Sequence, residues 1–208
     1  AAGSGGTVLC IHGLGESARK STANVAKGFA ARGYDSAVMA LPYHGSRTPP
    51  GYKPTSFFLH ADRYRLRSYF ENAVVDTMTC AEYFKKSTGP VYVFAFSMGG
   101  FIATIAAALS TNIARLILVV SGGNFYEITW RSMATKILRQ QYEADGNCDA
   151  AKCFRLHAGE FEVFRDSLSS PFIPFDSAPM ACFEYDPVTY APFVKQPVLM
   201  MNARFDMF

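Results

Sequence analysis

Several features that would assign a chain quickly are missing from these 208 residues. No apolar stretch approaches the ~20 residues a membrane-spanning helix needs, so no membrane span is expected. No basic run is present: the formal net charge is +3. The densest cluster, Arg63, Arg65 and Arg67, has a two-residue spacing that fans across a helix and predicts a solvated edge rather than an anion site. Nucleic-acid binding therefore has no support. The cysteines, Cys10, Cys80, Cys148, Cys153 and Cys182, are odd in number and scattered, which fits neither a disulfide framework nor a zinc site. Cys10 and Cys80 fall in an apolar strand and on an apolar helix face, as reduced core thiols do. Pairing of Cys148 with Cys153, or of either with Cys182, stays open. This usage favours a reducing, cytoplasmic compartment. There is no repeat and no low-complexity tract. No initiator methionine or charged-then-apolar leader precedes Ala1, and a truncated start is expected.

What is present is a hydrophobic chain, 50% by composition, long enough for one domain with a substantial core. Short apolar runs at Thr7–His12, Asp35–Ala40, Val91–Phe96, Arg115–Val120 and Val198–Asn202 predict strands. Ser17–Arg32, Asp62–Lys86 and Met98–Leu109 predict helices. In the second of these, Leu66, Tyr69, Phe70, Ala73, Val74, Thr77, Met78, Ala81 and Phe84 keep a spacing of three and four. Strands alternating with helices imply a mostly parallel sheet covered by helices on both faces. Strands that are apolar throughout, rather than alternating, fit burial on both faces. Between Asn124 and Pro197 the rhythm stops: aromatics, prolines and helical pieces appear, but no clear strand. An insertion of that length reads as a lid or cap over a site. The expected division is a core over 1–123, a cap over 124–190 and a return to the core over 191–208.

The sharpest motif is Val91-Tyr92-Val93-Phe94-Ala95-Phe96-Ser97-Met98-Gly99-Gly100-Phe101. A strand ends in a serine, and small residues lead at once into an alanine-rich helix. This is the pattern of a strained strand-to-helix turn that lifts a serine hydroxyl out of a sheet, with small flanks because bulk would strike neighbouring backbone. Ala95 stands where G-x-S-x-G has its first glycine, a difference of one methyl group. Taken alone, the same pattern also suits a Gly-rich turn that cradles phosphate in a dinucleotide-binding fold.

Two further segments, in order, give this turn its context. His12-Gly13-Leu14-Gly15-Glu16-Ser17 follows the first strand, and Asn202-Ala203-Arg204-Phe205-Asp206 follows the last. With the serine turn, they resemble the α/β-hydrolase superfamily over nearly the whole chain. Pro42-Tyr43-His44-Gly45-Ser46-Arg47-Thr48-Pro49 is similar to a less-studied bacterial branch of it, and Asp186-Pro187-Val188-Thr189-Tyr190-Ala191 to the lead-in to the last strand in several bacterial members. The resemblance implies that Ser97 is a nucleophile and that Asp206 is the acid of a Ser-Asp-His triad. It also implies that the backbone N–H groups of Leu14 and Met98 form an oxyanion hole. No cofactor or metal is implied, and the substrate would be a small carboxylic ester or acyl compound. The resemblance says nothing of oligomeric state. The aromatic cap suits an apolar acyl or aryl pocket equally with simple packing.

The scarcity with most consequence is histidine after the acid. The family's base follows the acid, yet His12, His44, His60 and His157 all precede Asp206. His12 is expected to brace its loop, His44 to offer a substrate contact, and His60 and His157 to be solvated or structural. A fragment lacking the fold's first two strands and its last strand and helix accounts for both ends together. Such a fragment is expected to be nearly inactive alone. Two other readings remain: a ligand-binding hydrolase fold without catalysis, or an acyltransferase, C–C hydrolase or peptidase using the same triad.

Overall fold

The computed structural model describes residues 5–52, 60–133, 135–145 and 148–204. Strands β1 (Thr7–Ile11), β2 (Asp35–Met39), β3 (Val91–Phe96), β4 (Ile113–Val119) and β5 (Val198–Met201) form one sheet in the order β2-β1-β3-β4-β5. Every pair is parallel. The predicted boundaries hold to within two residues, and β3 starts and ends where the sequence placed it.

Covering both faces explains the unbroken apolar strands. Successive strand residues point to opposite sides, so Val91, Val93 and Ala95 join Leu9, Ile11, Leu116 and Leu118 on one face. There they meet helices α2 (Arg63–Thr88) and α3 (Met98–Leu109) through Leu66, Tyr69, Phe70, Ile102 and Ala106. The opposite face carries Val8, Cys10, Tyr92 and Phe94 against Ala26 and Phe29 of helix α1 (Glu16–Ala30). Each large side chain buried in this way contributes roughly 1.5–3 kcal/mol. Asp62 starts α2 as its cap, accepting from the N–H groups of Tyr64 at 2.9 Å and Arg65 at 3.0 Å, which satisfies donors that have no partner within the helix.

Between β4 and β5 the described residues are helices and turns, as expected: α4 (Lys136–Asp145), α5 (Ala150–Leu156), α6 (Glu162–Ser167) and α7 (Pro187–Tyr190), with π-helical turns at Glu127–Arg131 and His157–Phe161. Phe161, Phe164 and Phe183 give this segment a small core of its own. It is joined to the sheet layer by a ring cluster in which Phe70 stacks on Tyr185 at 5.1 Å and meets Phe125 edge-on at 5.7 Å.

Polar contacts tighten the join. Here the solvated-edge expectation for the arginine cluster fails at one member. Arg63 and Arg65 are exposed, but Arg67 turns inward. It pairs with Glu184, whose side chain is 2% exposed, while Nε reaches Glu71 at 2.7 Å. Its guanidinium also lies 4.0 Å from the Phe175 ring centroid. A spacing of two separates helix faces, so one of three such residues reaches the packed side.

Asp186 closes the segment on itself. Fully buried, it accepts from the N–H groups of Asn124 at 2.9 Å, Phe125 at 2.6 Å and Val188 at 2.9 Å. The chain's departure from the sheet and its return are thus tied to one carboxylate. Burial pushes that carboxyl group's pKa up, while the three backbone donors work in the opposite direction. Asp186→Ala leaves three buried donors without an acceptor and is expected to cost about 3–5 kcal/mol. Urea denaturation checks this, and a loss below about 1 kcal/mol would mean that the clasp is not structural.

Candidate active site

A parallel sheet offers a crevice where neighbouring connections leave in opposite directions, beyond the carboxyl ends of the strands. In the order β2-β1-β3-β4-β5 this point lies between β1 and β3. The segments leaving those two strands at that edge are His12–Gly15 and Ser97–Gly99. Two motifs distant in sequence are therefore adjacent in the fold.

Ser97 caps α3 with φ 51° and ψ −121°, a left-handed backbone that costs a non-glycine residue of order 1–3 kcal/mol. The surroundings hold it there. Its N–H donates to Val119 O at 2.9 Å, extending the ladder by one residue, and its carbonyl accepts from Gly100 N–H at 2.8 Å. The side chain makes no capping hydrogen bond and stands at the boundary of burial, 9% exposed.

The small flanking residues have a steric cause. A Cβ on Gly99 would lie 2.6 Å from Ile11 O and 2.7 Å from His12 O. These are backbone atoms and cannot swing aside. From the other side, a Cβ on Gly13 would lie 3.0 Å from Ser97 Cβ. The two loops touch backbone to backbone, which only glycine permits at these positions. Met98 follows at the first turn of α3, its sulfur accepting from Tyr69 Oη at 3.7 Å. Leu14 follows Gly13 and packs against the main core.

His12 and His44 hold the first loop. Carbonyl oxygens only accept, so each Nδ1 must carry the proton: His12 Nδ1 donates to Gly13 O at 2.6 Å, and His44 Nδ1 to Pro42 O at 2.8 Å. Each Nε2 then accepts, from Leu41 N–H at 3.1 Å and from Gly15 N–H at 3.2 Å. The two rings meet edge-on at 4.9 Å and both are fully buried. The bracing expected of His12 is found. His44, expected to offer a substrate contact, has its ring enclosed and both nitrogens bonded to backbone, and in this way it fixes Gly15. The sequence signal they share is a histidine followed by glycine in the loop after a strand, His12-Gly13 after β1 and His44-Gly45 after β2.

The other histidines lie elsewhere. His60 Nδ1 accepts from Asp62 N–H at 3.0 Å. His157 is buried in the helical segment, ringed by Tyr126, Phe161 and Phe183, and burial lowers its pKa. Asp206 falls outside the described residues. The strand before it does not: Phe96, Val119 and Met201 are in register, so β5 ends at the same edge as β3, two strands away. At strand spacing that is roughly 10 Å, and Asn202 Oδ1 accepts from Ser121 N–H at 3.3 Å on that edge. A cavity of about 610 Å³ lies between the start of α2 and the helical segment, with Phe125, Trp130, Tyr142 and Tyr185 in its wall. Ser97 is not part of that wall.

Among the described residues, no group of three or more His, Cys, Asp or Glu side chains is placed to hold a metal ion. No helix among them is long and apolar enough to cross a membrane. Because the Gly99 position faces two backbone oxygens, Gly99→Ala must push β1 and α3 apart. The expected result is a loss of about 2–4 kcal/mol, measured by thermal or urea unfolding. Gly159→Ala, where a Cβ meets nothing within 4 Å, serves as the control.

Comparison with known proteins agrees with this architecture. A family model described as alpha/beta hydrolase fold matches residues 6–165. Acetyl xylan esterase from Paenibacillus sp. R4 superposes with a TM-score of 0.63 at 14% identity, over 95% of this chain and 58% of that one. A soluble variant of monoglyceride lipase from Saccharomyces cerevisiae gives 0.57 at 16% identity, over 100% and 70%. Acetyl xylan esterase 1 from Thermoanaerobacterium sp. JW/SL YS485 gives 0.53 at 17%, over 96% and 60%. The chain thus spans about three fifths of the two xylan esterases. No curated protein matches it. With the family model matching well over half of its length, the chain belongs to the alpha/beta hydrolase fold family.

Proposed function

We propose that this protein is a serine hydrolase that cleaves small carboxylic esters, with Ser97 as nucleophile. The observation that carries the reading is the strained backbone of Ser97 at the carboxyl end of β3, held against the Gly13 loop at the sheet's switch point. A serine in that turn, at the N-terminus of α3, has the position a nucleophile needs. Esterases and a lipase among the similar folds accord with it.

In this reading Ser97 Oγ attacks the ester carbonyl while a base takes its proton. The N–H groups of Leu14 and Met98 stabilise the oxyanion, a contribution of about 3–4 kcal/mol for each donor in comparable enzymes. The bracing by His12 and His44 holds the Leu14 loop in place before substrate arrives. Asp206 orients the base. Neither His12 nor His44 can serve as that base, because both rings are committed to backbone on both nitrogens. The reading therefore assigns the base to a histidine downstream of Phe208 in the complete protein. Residues 124–190 act as a lid, and residues 1–123 and 191–208 as the core.

The test is turnover of p-nitrophenyl acetate and butyrate by the complete protein, by Ser97→Ala in it, and by the 208-residue chain alone. Ser97→Ala and the short chain should each lose several orders of magnitude, retaining only residual catalysis. Robust activity of the short chain would move the base back among the four histidines. An inactive complete protein that still binds esters would support a ligand-binding role instead.

A further inference from the structure

Left-handed backbone at non-glycine residues gathers at one edge of the sheet. Among the described residues it occurs at Tyr43 (φ 61°), Ser97 (φ 51°), Val120 (φ 50°), Asn124 (φ 69°) and Asp176 (φ 53°). The first four stand in the segments that leave β2, β3 and β4 at their carboxyl ends. Such conformations persist only where the surroundings hold them, and they collect at sites that bind or react. Two of the four have ordinary explanations. Asparagine tolerates this region. Tyr43 completes a turn in which His44 N–H donates to Leu41 O at 3.1 Å, and its ring stacks on Tyr69 at 6.3 Å. Val120 has no such account.

A branched Cβ is the least suited to positive φ, because it crowds the backbone most there. The backbone of Val120 is nevertheless pinned. Its N–H donates to Met201 O at 2.8 Å, and the next N–H, of Ser121, donates to Asn202 Oδ1 at 3.3 Å. Glycine would hold the same turn without strain. The core does not call for the valine either: half-buried, it joins none of the apolar clusters formed by the described residues.

Its position supplies the reason. Phe96 pairs with Val119, and Ser97 N–H donates to Val119 O at 2.9 Å. The ladder thus continues by one step and sets Val120 beside Ser97, roughly 5 Å away at strand spacing. The strands flanking β3 are β1 and β4. On the β1 side the Gly13 loop presses against Ser97, and there the Leu14 N–H would take the ester's carbonyl oxygen. The acyl chain must then leave over β4, where Val120 is the first residue it meets. We propose that Val120 is the specificity-determining wall of the acyl site, a stiff branched side chain held beside the nucleophile that limits the substrate to short acyl groups. This rests on the reading of Ser97 as nucleophile.

The test measures kcat/KM of the complete protein on p-nitrophenyl acetate, butyrate and hexanoate, with Ser97→Ala as the reference for dependence on the serine. In the parent the value should fall at least about tenfold from acetate to hexanoate, the scale on which an apolar site discriminates methylenes. Val120→Ala shortens the side chain, and Val120→Gly also frees the backbone. Both should raise the hexanoate-to-acetate ratio by about tenfold. Val120→Gly should unfold in urea at a midpoint no lower than the parent's, because the strain leaves with the side chain. A clearly lower midpoint would show that the valine serves packing and would overturn the proposal. So would a chain-length profile that neither variant shifts, or a parent that prefers hexanoate. Turnover that survives Ser97→Ala would overturn the underlying reading and this proposal together, whereas serine-dependent turnover with an unshifted profile would overturn this proposal alone. The parent's own profile decides the matter even if a variant fails to fold.

Discussion

The backbone contact between the exit of β1 and the β3–α3 turn is the constraint on which the rest of the structure depends. Gly99 sits so close to the carbonyls of Ile11 and His12 that a methyl group has no room. Gly13 presses on Ser97 from the opposite side. Since β1 and β3 are direct neighbours in the sheet, this contact requires the parallel register that aligns Ile11 with Ala95. It also accompanies the sharp turn from β3 into α3 that puts Ser97 at φ 51°. Sheet order, helix entry and serine conformation are consequences of one close approach.

The histidine pair extends that constraint outward. His12 links the first loop to Leu41 after β2, and His44 links the loop after β2 back to Gly15. Neutral imidazoles suit this work because each offers one donor and one acceptor in fixed directions. Buried backbone groups that would otherwise cost about 1–3 kcal/mol each are satisfied in this way. The helical segment is fixed by a different means, with Asp186 tying its two ends and Arg67 pairing with Glu184. The segment therefore sits on the core through a few directional contacts and one aromatic cluster.

Much of this was legible in the sequence, for reasons that differ by residue. Strands and helices of the sheet layers follow from apolar periodicity, which burial on two faces dictates. The serine turn was legible because a steric demand for small residues leaves a local signature. What the sequence concealed were contacts whose partners lie far apart along the chain. Nothing near Arg67 marks it as the inward member of its cluster, because its partner is Glu184. His44 looked ligand-facing from its place after β2, yet its acceptor role is set by Gly15, twenty-nine residues earlier.

The central claim is that this backbone arrangement presents Ser97 as the one activated hydroxyl. Covalent labelling of the complete protein with a fluorophosphonate, followed by peptide mass mapping, tests it most directly. The account predicts a single adduct on Ser97, on the peptide that spans β3 and α3, and none after Ser97→Ala. A folded protein that takes no adduct, or takes it on another serine, would contradict it.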